Sequence, residues 1–161
     1  MLYYIQKMKG EIQMKRIWFD MDGTIADLYG VEGWLPMLID SDPTPYEIAR
    51  PLVNLSRLAR YLNRLQKMGF EIGVISWLSK TSTPEYDALV AGAKMFWLGH
   101  HLPSVKWDEI KIVPYGTNKW ETCGGGFLFD DEMRNRKEWK NGAAFEPEHI
   151  FEVLAEIVKS A

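Results

Sequence analysis

The 161-residue sequence predicts a three-layer α/β sandwich, with a doubly wound, mainly parallel sheet of about five strands between helices. Three observations lead there. Short apolar runs recur along the chain, of the kind that suits strands covered on both faces. Segments with helical periodicity separate them. Polar or acidic residues close several of the runs, which is where an open α/β sheet places its ligand-binding groups.

Residues 1–14 read as an N-terminal extension, and residues 15–161 as a single domain. The first strand is expected at 15–20 (KRIWFD), ending in Asp20. From there to residue 52 the chain carries Gly30, Gly33, Pro36, Pro43, Pro45 and Pro51, which excludes one long helix. A small flap or cap at about 27–51 is the reading of that punctuation. Leu52, Leu55, Leu58, Ala59, Leu62 and Leu65 then repeat at helical spacing, with Gly69 as the stop. The second strand is 70–76 (FEIGVIS), ending in Ser76. Residues 84–99 open with Pro and Glu and close at Gly99, as a helix should. Further strands are expected at 110–113 (IKIV), at 126–130 (GFLFD), and at 143–145 (AAF) as a short edge. A last helix spans 147–159, with Pro147 at its start and Lys159 near its end.

Composition narrows the function. Apolar residues make up 47% of the chain, enough for a sizeable core, and the formal charge is −3. No basic block or basic helix face appears, which argues against nucleic acid or an anionic membrane as partner. No apolar run approaches the roughly 18–20 residues of a membrane span. One cysteine, Cys123, excludes an intramolecular disulfide and fits a reducing compartment. The N-terminal MLYYIQKMKGEIQ is too polar for a signal peptide, so a cytoplasmic location is expected. The sequon Asn54-Leu55-Ser56 is read as coincidence.

Four polar clusters carry the chemistry: Asp20-Met21-Asp22-Gly23-Thr24, Ser76, Lys119, and Asp130-Asp131. A carboxylate attacking a phosphoester meets electrostatic repulsion, which a fixed cation and a Mg²⁺ ion relieve. Asp20 is placed to be nucleophile and metal ligand, and Asp22 to be the acid and base. Gly23 permits a sharp turn whose N–H groups could face phosphate. Thr24 is expected to hold Asp22 or the turn and to line the phosphate site with Ser76 and Lys119, which bind phosphate. Asp130 and Asp131 complete an oxygen-rich site suited to Mg²⁺. Trp77, with Tyr29 and Trp34 of the flap, is weighed as an aromatic slot for a nucleobase against simple packing.

IWFDMDGTIAD resembles the first signature of the haloacid dehalogenase superfamily of phosphotransferases, whose pattern is D-x-D-G-T. VISWLS, Lys119 and FLFDDE are similar to its second, third and fourth motifs, and the likeness runs over about residues 14 to 155. It implies a Rossmann-like fold and phosphomonoester hydrolysis through an aspartyl-phosphate on Asp20. The spacing K-x(10)-D-D and the segment PEYDALVAGAKMFWLGHHLP are similar to the 5′(3′)-deoxyribonucleotidase branch. By position, the resemblance implies that Asp20, the Met21 carbonyl and Asp130 bind Mg²⁺, with Asp131 acting through water or from behind them.

A nucleoside monophosphate is the preferred substrate, with sugar phosphates, a phosphorylated macromolecule or a nucleic-acid end as alternatives. The cap is smaller than that branch usually carries, so a homo-oligomer is considered as the source of a fuller lid. A phospho-receiver domain would place its acidic pair early and lack the D-x-D-G-T turn. A retired scaffold would not be expected to keep Asp20, Asp22, Ser76, Lys119 and Asp130 together. Bland readings are preferred for three other features. His100-His101 reads as a solvated helix end, Cys123 as an ordinary loop residue, and Lys111 as a weaker candidate than Lys119 for the site cation.

Overall fold

The computed structural model describes residues 15–161, so the expected extension over 1–14 lies outside the described residues. The chain runs through β1 (Arg16–Phe19), β2 (Ala26–Asp27), a 3-10 turn (Leu28–Gly30), α1 (Trp34–Ile39), α2 (Thr44–Ile48) and β3 (Arg50–Pro51). Next come α3 (Leu55–Lys67), β4 (Glu71–Trp77), α4 (Pro84–His101), β5 (Glu109–Val113) and α5 (Lys119–Cys123). The chain closes with β6 (Gly126–Phe129), α6 (Met133–Glu138), β7 (Gly142–Phe145), a 3-10 turn (Pro147–His149) and α7 (Ile150–Ser160).

Five strands form one sheet in the order β5-β4-β1-β6-β7. Every neighbouring pair is parallel, so the mainly parallel sheet expected is wholly parallel. The antiparallel pair, β2 with β3, belongs to the cap. The chain lays strands to one side of β1, then returns to fill the other. The tip of β1 is therefore the switch point at which such sheets bind ligands.

Alternation along β1 sorts the core into two layers. Ile17 and Phe19 face a large cluster with Leu58, Leu62 and Leu65 of α3 and Val153, Leu154 and Ile157 of α7. Trp18 faces the other way, with Leu128, Cys123 and Trp139. Both faces are covered, which explains why the strands read as unbroken apolar runs.

Local chemistry sets the helix ends. The Asn54 side chain accepts the Arg57 N–H at 3.0 Å and so caps α3. That role occupies the asparagine of the coincidental sequon. The Thr83 hydroxyl accepts the Tyr86 N–H at 3.1 Å ahead of Pro84 at the start of α4. Asn118 caps α5 through the Glu121 N–H at 3.0 Å. Lys119 thus opens a short helix that the sequence analysis did not assign.

The flap expected at about 27–51 consists of α1 and α2 on the two-stranded stem β2–β3. It rests on α4: Leu28, Leu38 and Tyr46 pack with Tyr86, Val90 and Ala93. Among the described residues, no helix is long and apolar enough to cross a membrane.

Candidate active site

The last turn of β1 holds the first carboxylate. The Asp20 N–H donates to the Phe129 carbonyl at 2.9 Å, so the ladder to β6 reaches the residue itself. The next turn is closed by the Met21 carbonyl, which accepts the N–H groups of Thr24, Ile25 and Ala26, each at 3.0 Å. That carbonyl is fully engaged, and the implied role as metal ligand is corrected. The Asp22 carbonyl, one residue on, accepts no backbone hydrogen bond among the described residues.

Gly23 has φ +79° and its N–H donates to the Ala26 carbonyl at 2.8 Å, so the N–H is not available to a phosphate as expected. Glycine is required there for a second reason: a Cβ would collide with Asp131 Oδ2. Thr24 ties the turn, one of its two expected roles. Its hydroxyl donates to Asp20 Oδ2 at 3.0 Å and accepts the Asp131 N–H at 3.1 Å, so it joins the two acidic tips rather than holding Asp22.

Lys119 reaches the site from the start of α5. Its Nζ lies 2.8 Å from Asp20 Oδ1 and 2.6 Å from Asp130 Oδ2. Asp130 follows β6 directly; its Oδ1 accepts the Glu132 N–H at 2.8 Å and its Oδ2 the Asn135 amide at 3.1 Å. The Arg136 guanidinium donates to the Asp130 and Asp131 carbonyls at 2.9 and 2.7 Å, pinning the acidic pair from outside. Carboxylate oxygens of Asp20, Asp130 and Asp131 all lie within 4.8 Å of one another, so Asp131 stands with the other two.

Asp22 lies on the other side of the turn with a partner that the sequence reading missed. Lys94 of α4 places its Nζ 2.7 Å from Asp22 Oδ2, 2.7 Å from Ser76 Oγ and 2.7 Å from the Trp77 carbonyl. Ser76 and Lys94 are both fully buried. Ser76 stands behind the cavity and its oxygen serves Lys94, in place of the expected phosphate contact. A signal for Lys94 was present. It sits four residues after Val90 and three before Trp97, on the buried stripe of α4. A cation on an apolar stripe calls for a buried partner.

The site is rich in negative charge. Four carboxylates (Asp20, Asp22, Asp130, Asp131) face two ammonium groups (Lys94, Lys119), an excess equal to the charge of one divalent cation. Burial, then the neighbouring Asp20 charge, pushes the Asp130 and Asp131 carboxyls above the ordinary carboxylate value. Burial also raises Asp22, against the pull of Lys94. Burial alone would lower the Lys119 ammonium, but Asp20 and Asp130 more than reverse it, and it is raised. The Tyr29 and Tyr46 phenols are raised by burial and then by Asp22. The residues fit a hard divalent cation: an all-oxygen acidic donor set, and a buried Asn135 Oδ1 beside Asp130 with no hydrogen-bond partner among the described residues.

These shifts predict an unusual dependence of stability on pH. A carboxyl raised by folding binds more protons folded than unfolded, so its stabilisation is present at low pH and lost as pH rises. In EDTA, the thermal midpoint is expected to fall by several degrees between about pH 5.5 and pH 8.5. Added Mg²⁺ should flatten the trend. Differential scanning calorimetry checks it, and a midpoint that climbs with pH in EDTA would contradict the charge balance.

Above the carboxylates opens a cavity of about 540 Å³, reaching from Asp20, Asp22 and Lys119 to Leu35 and Ile39 of α1. Trp77 stands on its wall, held by Nε1 donating to the Thr117 carbonyl at 2.9 Å. Its ring lies 5.1 Å from that of Tyr115, and Lys119 Nζ lies 5.2 Å from the Trp77 ring. Tyr29 and Trp34 meet edge to face at 5.1 Å on the cap side. All four aromatics of the expected slot and its neighbour therefore border one cavity.

The remaining candidates fall elsewhere. Lys111 donates to the Thr122 carbonyl at 2.9 Å and faces Glu109, away from the acidic cluster. Cys123 is corrected from loop residue to the buried end of α5, and burial pushes its thiol up to about 12, so it is inert. His100 is exposed and stacks on Phe96, while His101 is half-buried and leans on Trp97 with ring centroids 4.5 Å apart. No family model matches this chain, and a comparison with curated proteins finds no match either.

Proposed function

We propose that the protein is a Mg²⁺-dependent phosphomonoester hydrolase that works through an aspartyl-phosphate on Asp20. One observation carries the reading: carboxylate oxygens of Asp20, Asp130 and Asp131 within 4.8 Å, with Lys119 bridging Asp20 and Asp130 at the floor of an open cavity.

On this reading an Asp20 carboxylate oxygen attacks phosphorus and the ester oxygen departs. Asp22 gives that oxygen a proton. Asp22 then takes a proton from a water molecule, whose oxygen attacks the phosphoryl group and releases phosphate, restoring the Asp20 carboxylate. Lys119 offsets the charge of Asp20, and Thr24 holds its other oxygen. A Mg²⁺ ion held by the carboxylates of Asp20, Asp130 and Asp131 would neutralise charge on the phosphoryl oxygens.

A nucleoside monophosphate is the proposed substrate. Tyr29, Trp34, Trp77 and Tyr115 offer flat faces at the cavity, and stacking on such faces is worth about 1–3 kcal/mol per base. Leu35 and Ile39 extend the apolar wall.

Release of phosphate from p-nitrophenyl phosphate, with Mg²⁺ and with EDTA, tests the chemistry. Turnover with Mg²⁺ and a loss of about 100-fold or more in EDTA are expected. No phosphate from p-nitrophenyl phosphate or from a panel of nucleotides and sugar phosphates would leave a binding protein as the better reading.

A further inference from the structure

We infer that Lys94 is a positioning residue: anchored on the two residues at the end of β4, it holds Asp22 by one oxygen and leaves the other for the substrate. The inference rests on the phosphatase reading above.

Lys94 has three ammonium protons and three acceptors at 2.7 Å: Ser76 Oγ, the Trp77 carbonyl and Asp22 Oδ2. No donor is left over. The first two acceptors belong to the sheet and do not move with the turn after β1. The third belongs to that turn. The ring of Tyr46, from the cap helix α2, lies 5.0 Å from the Lys94 Nζ. Lys94 is thereby fixed from the strand side and roofed from the cap side.

Asp22 has no such independent support. Its carboxylate receives a hydrogen bond from Lys94, and its Oδ1 has no hydrogen bond to any described residue. The side chain remains 18% exposed and borders the cavity, whereas Lys94 does not. Lys94 therefore reaches the substrate only through Asp22. Burying a lysine is costly unless its charge is met, and α4 could have carried a leucine on the same stripe. What the ammonium adds over a leucine is direction: it stops the Asp22 carboxylate from rotating about its own side-chain bonds. A misplacement of about 1 Å in a catalytic group can cost roughly 100-fold in rate.

The test uses leaving groups of different basicity and the full chain with Mg²⁺. A proton donor matters for a poor leaving group such as that of β-glycerophosphate, and little for 2,4-dinitrophenyl phosphate. Lys94→Met is expected to lower kcat about 100-fold with β-glycerophosphate and less than about tenfold with 2,4-dinitrophenyl phosphate, with KM little changed. A lysine that only supports the fold would lower both rates equally, and that outcome overturns the inference.

Lys94→Met also leaves the half-buried Asp22 carboxylate without its partner, so a second variant removes both charges. In Asp22→Asn protein, adding Lys94→Met should cost less than about threefold, because no carboxylate remains to be held. A further loss of 100-fold in that background overturns the inference, including when Lys94→Met alone does not fold. Inactivity of the wild-type protein on every ester would instead sink the phosphatase reading, and the role of Lys94 with it.

Discussion

Asp20→Asn is expected to abolish phosphate release, by at least about 10³-fold, while the protein melts at or above the wild-type temperature in EDTA. The two halves have one cause. On the proposed mechanism Asp20 forms the bond to phosphorus, and an amide is not a nucleophile in that reaction. Asp20 is also a charge that raises Asp22, Asp130 and Asp131 together. Removing it relieves three neighbours. The amide oxygen can still accept from Lys119, and the Thr24 hydroxyl can turn to accept from the new NH₂ group. Single-turnover kinetics and calorimetry on the same preparation check both halves. A folded Asp20→Asn protein with wild-type turnover would remove Asp20 as nucleophile, and a collapse of stability would make its role structural.

Lys119→Met should have the opposite signature, losing turnover and stability together. The ammonium is 2% exposed and sits between two buried carboxylates, each within 2.8 Å. Breaking a buried pair by removing one partner costs about 3–5 kcal/mol, because the remaining charge is left uncompensated. For a chain of this size that is a fall of roughly 10 °C in the thermal midpoint. The loss should be largest at neutral to alkaline pH in EDTA, where the carboxylates are ionised, and smaller with Mg²⁺ present. A drop of under about 1 kcal/mol in every condition would mean that Asp20 and Asp130 do not depend on Lys119.

On the proposed mechanism, the two variants would separate a reacting carboxylate from the cation that makes a carboxylate cluster tolerable. On the proposed reading, a divalent ion would meet the negative charge that the ammonium leaves. Lys119 alone leaves Asp130 and Asp131 raised.

Much of this was readable from residue order. Runs such as KRIWFD and FEIGVIS, with consecutive apolar residues at their centres, belong to strands covered on both faces, and the structure places all five expected runs in one parallel sheet. Because parallel strands carry their C-terminal ends to the same edge, Asp20, Ser76 and Asp130 had to come near one another once the sheet was granted. Short elements were less legible. Lys119–Cys123 and Met133–Glu138 are too brief to show a period, and the cap helices were hidden by their prolines.

The chain order by itself determined the sheet, its acidic rim and the glycine-dependent turn, because these depend on local periodicity and on chemistry within a few residues. Tertiary packing alone decided who partners whom. Thr24 turned to Asp20 and Asp131, the Met21 carbonyl was consumed in its own turn, and Ser76 was handed to Lys94. Each of those outcomes hangs on distances of a few tenths of an ångström. Hydrogen-bond partners are chosen at that scale, after helices and strands have packed, and residue spacing carries no record of it.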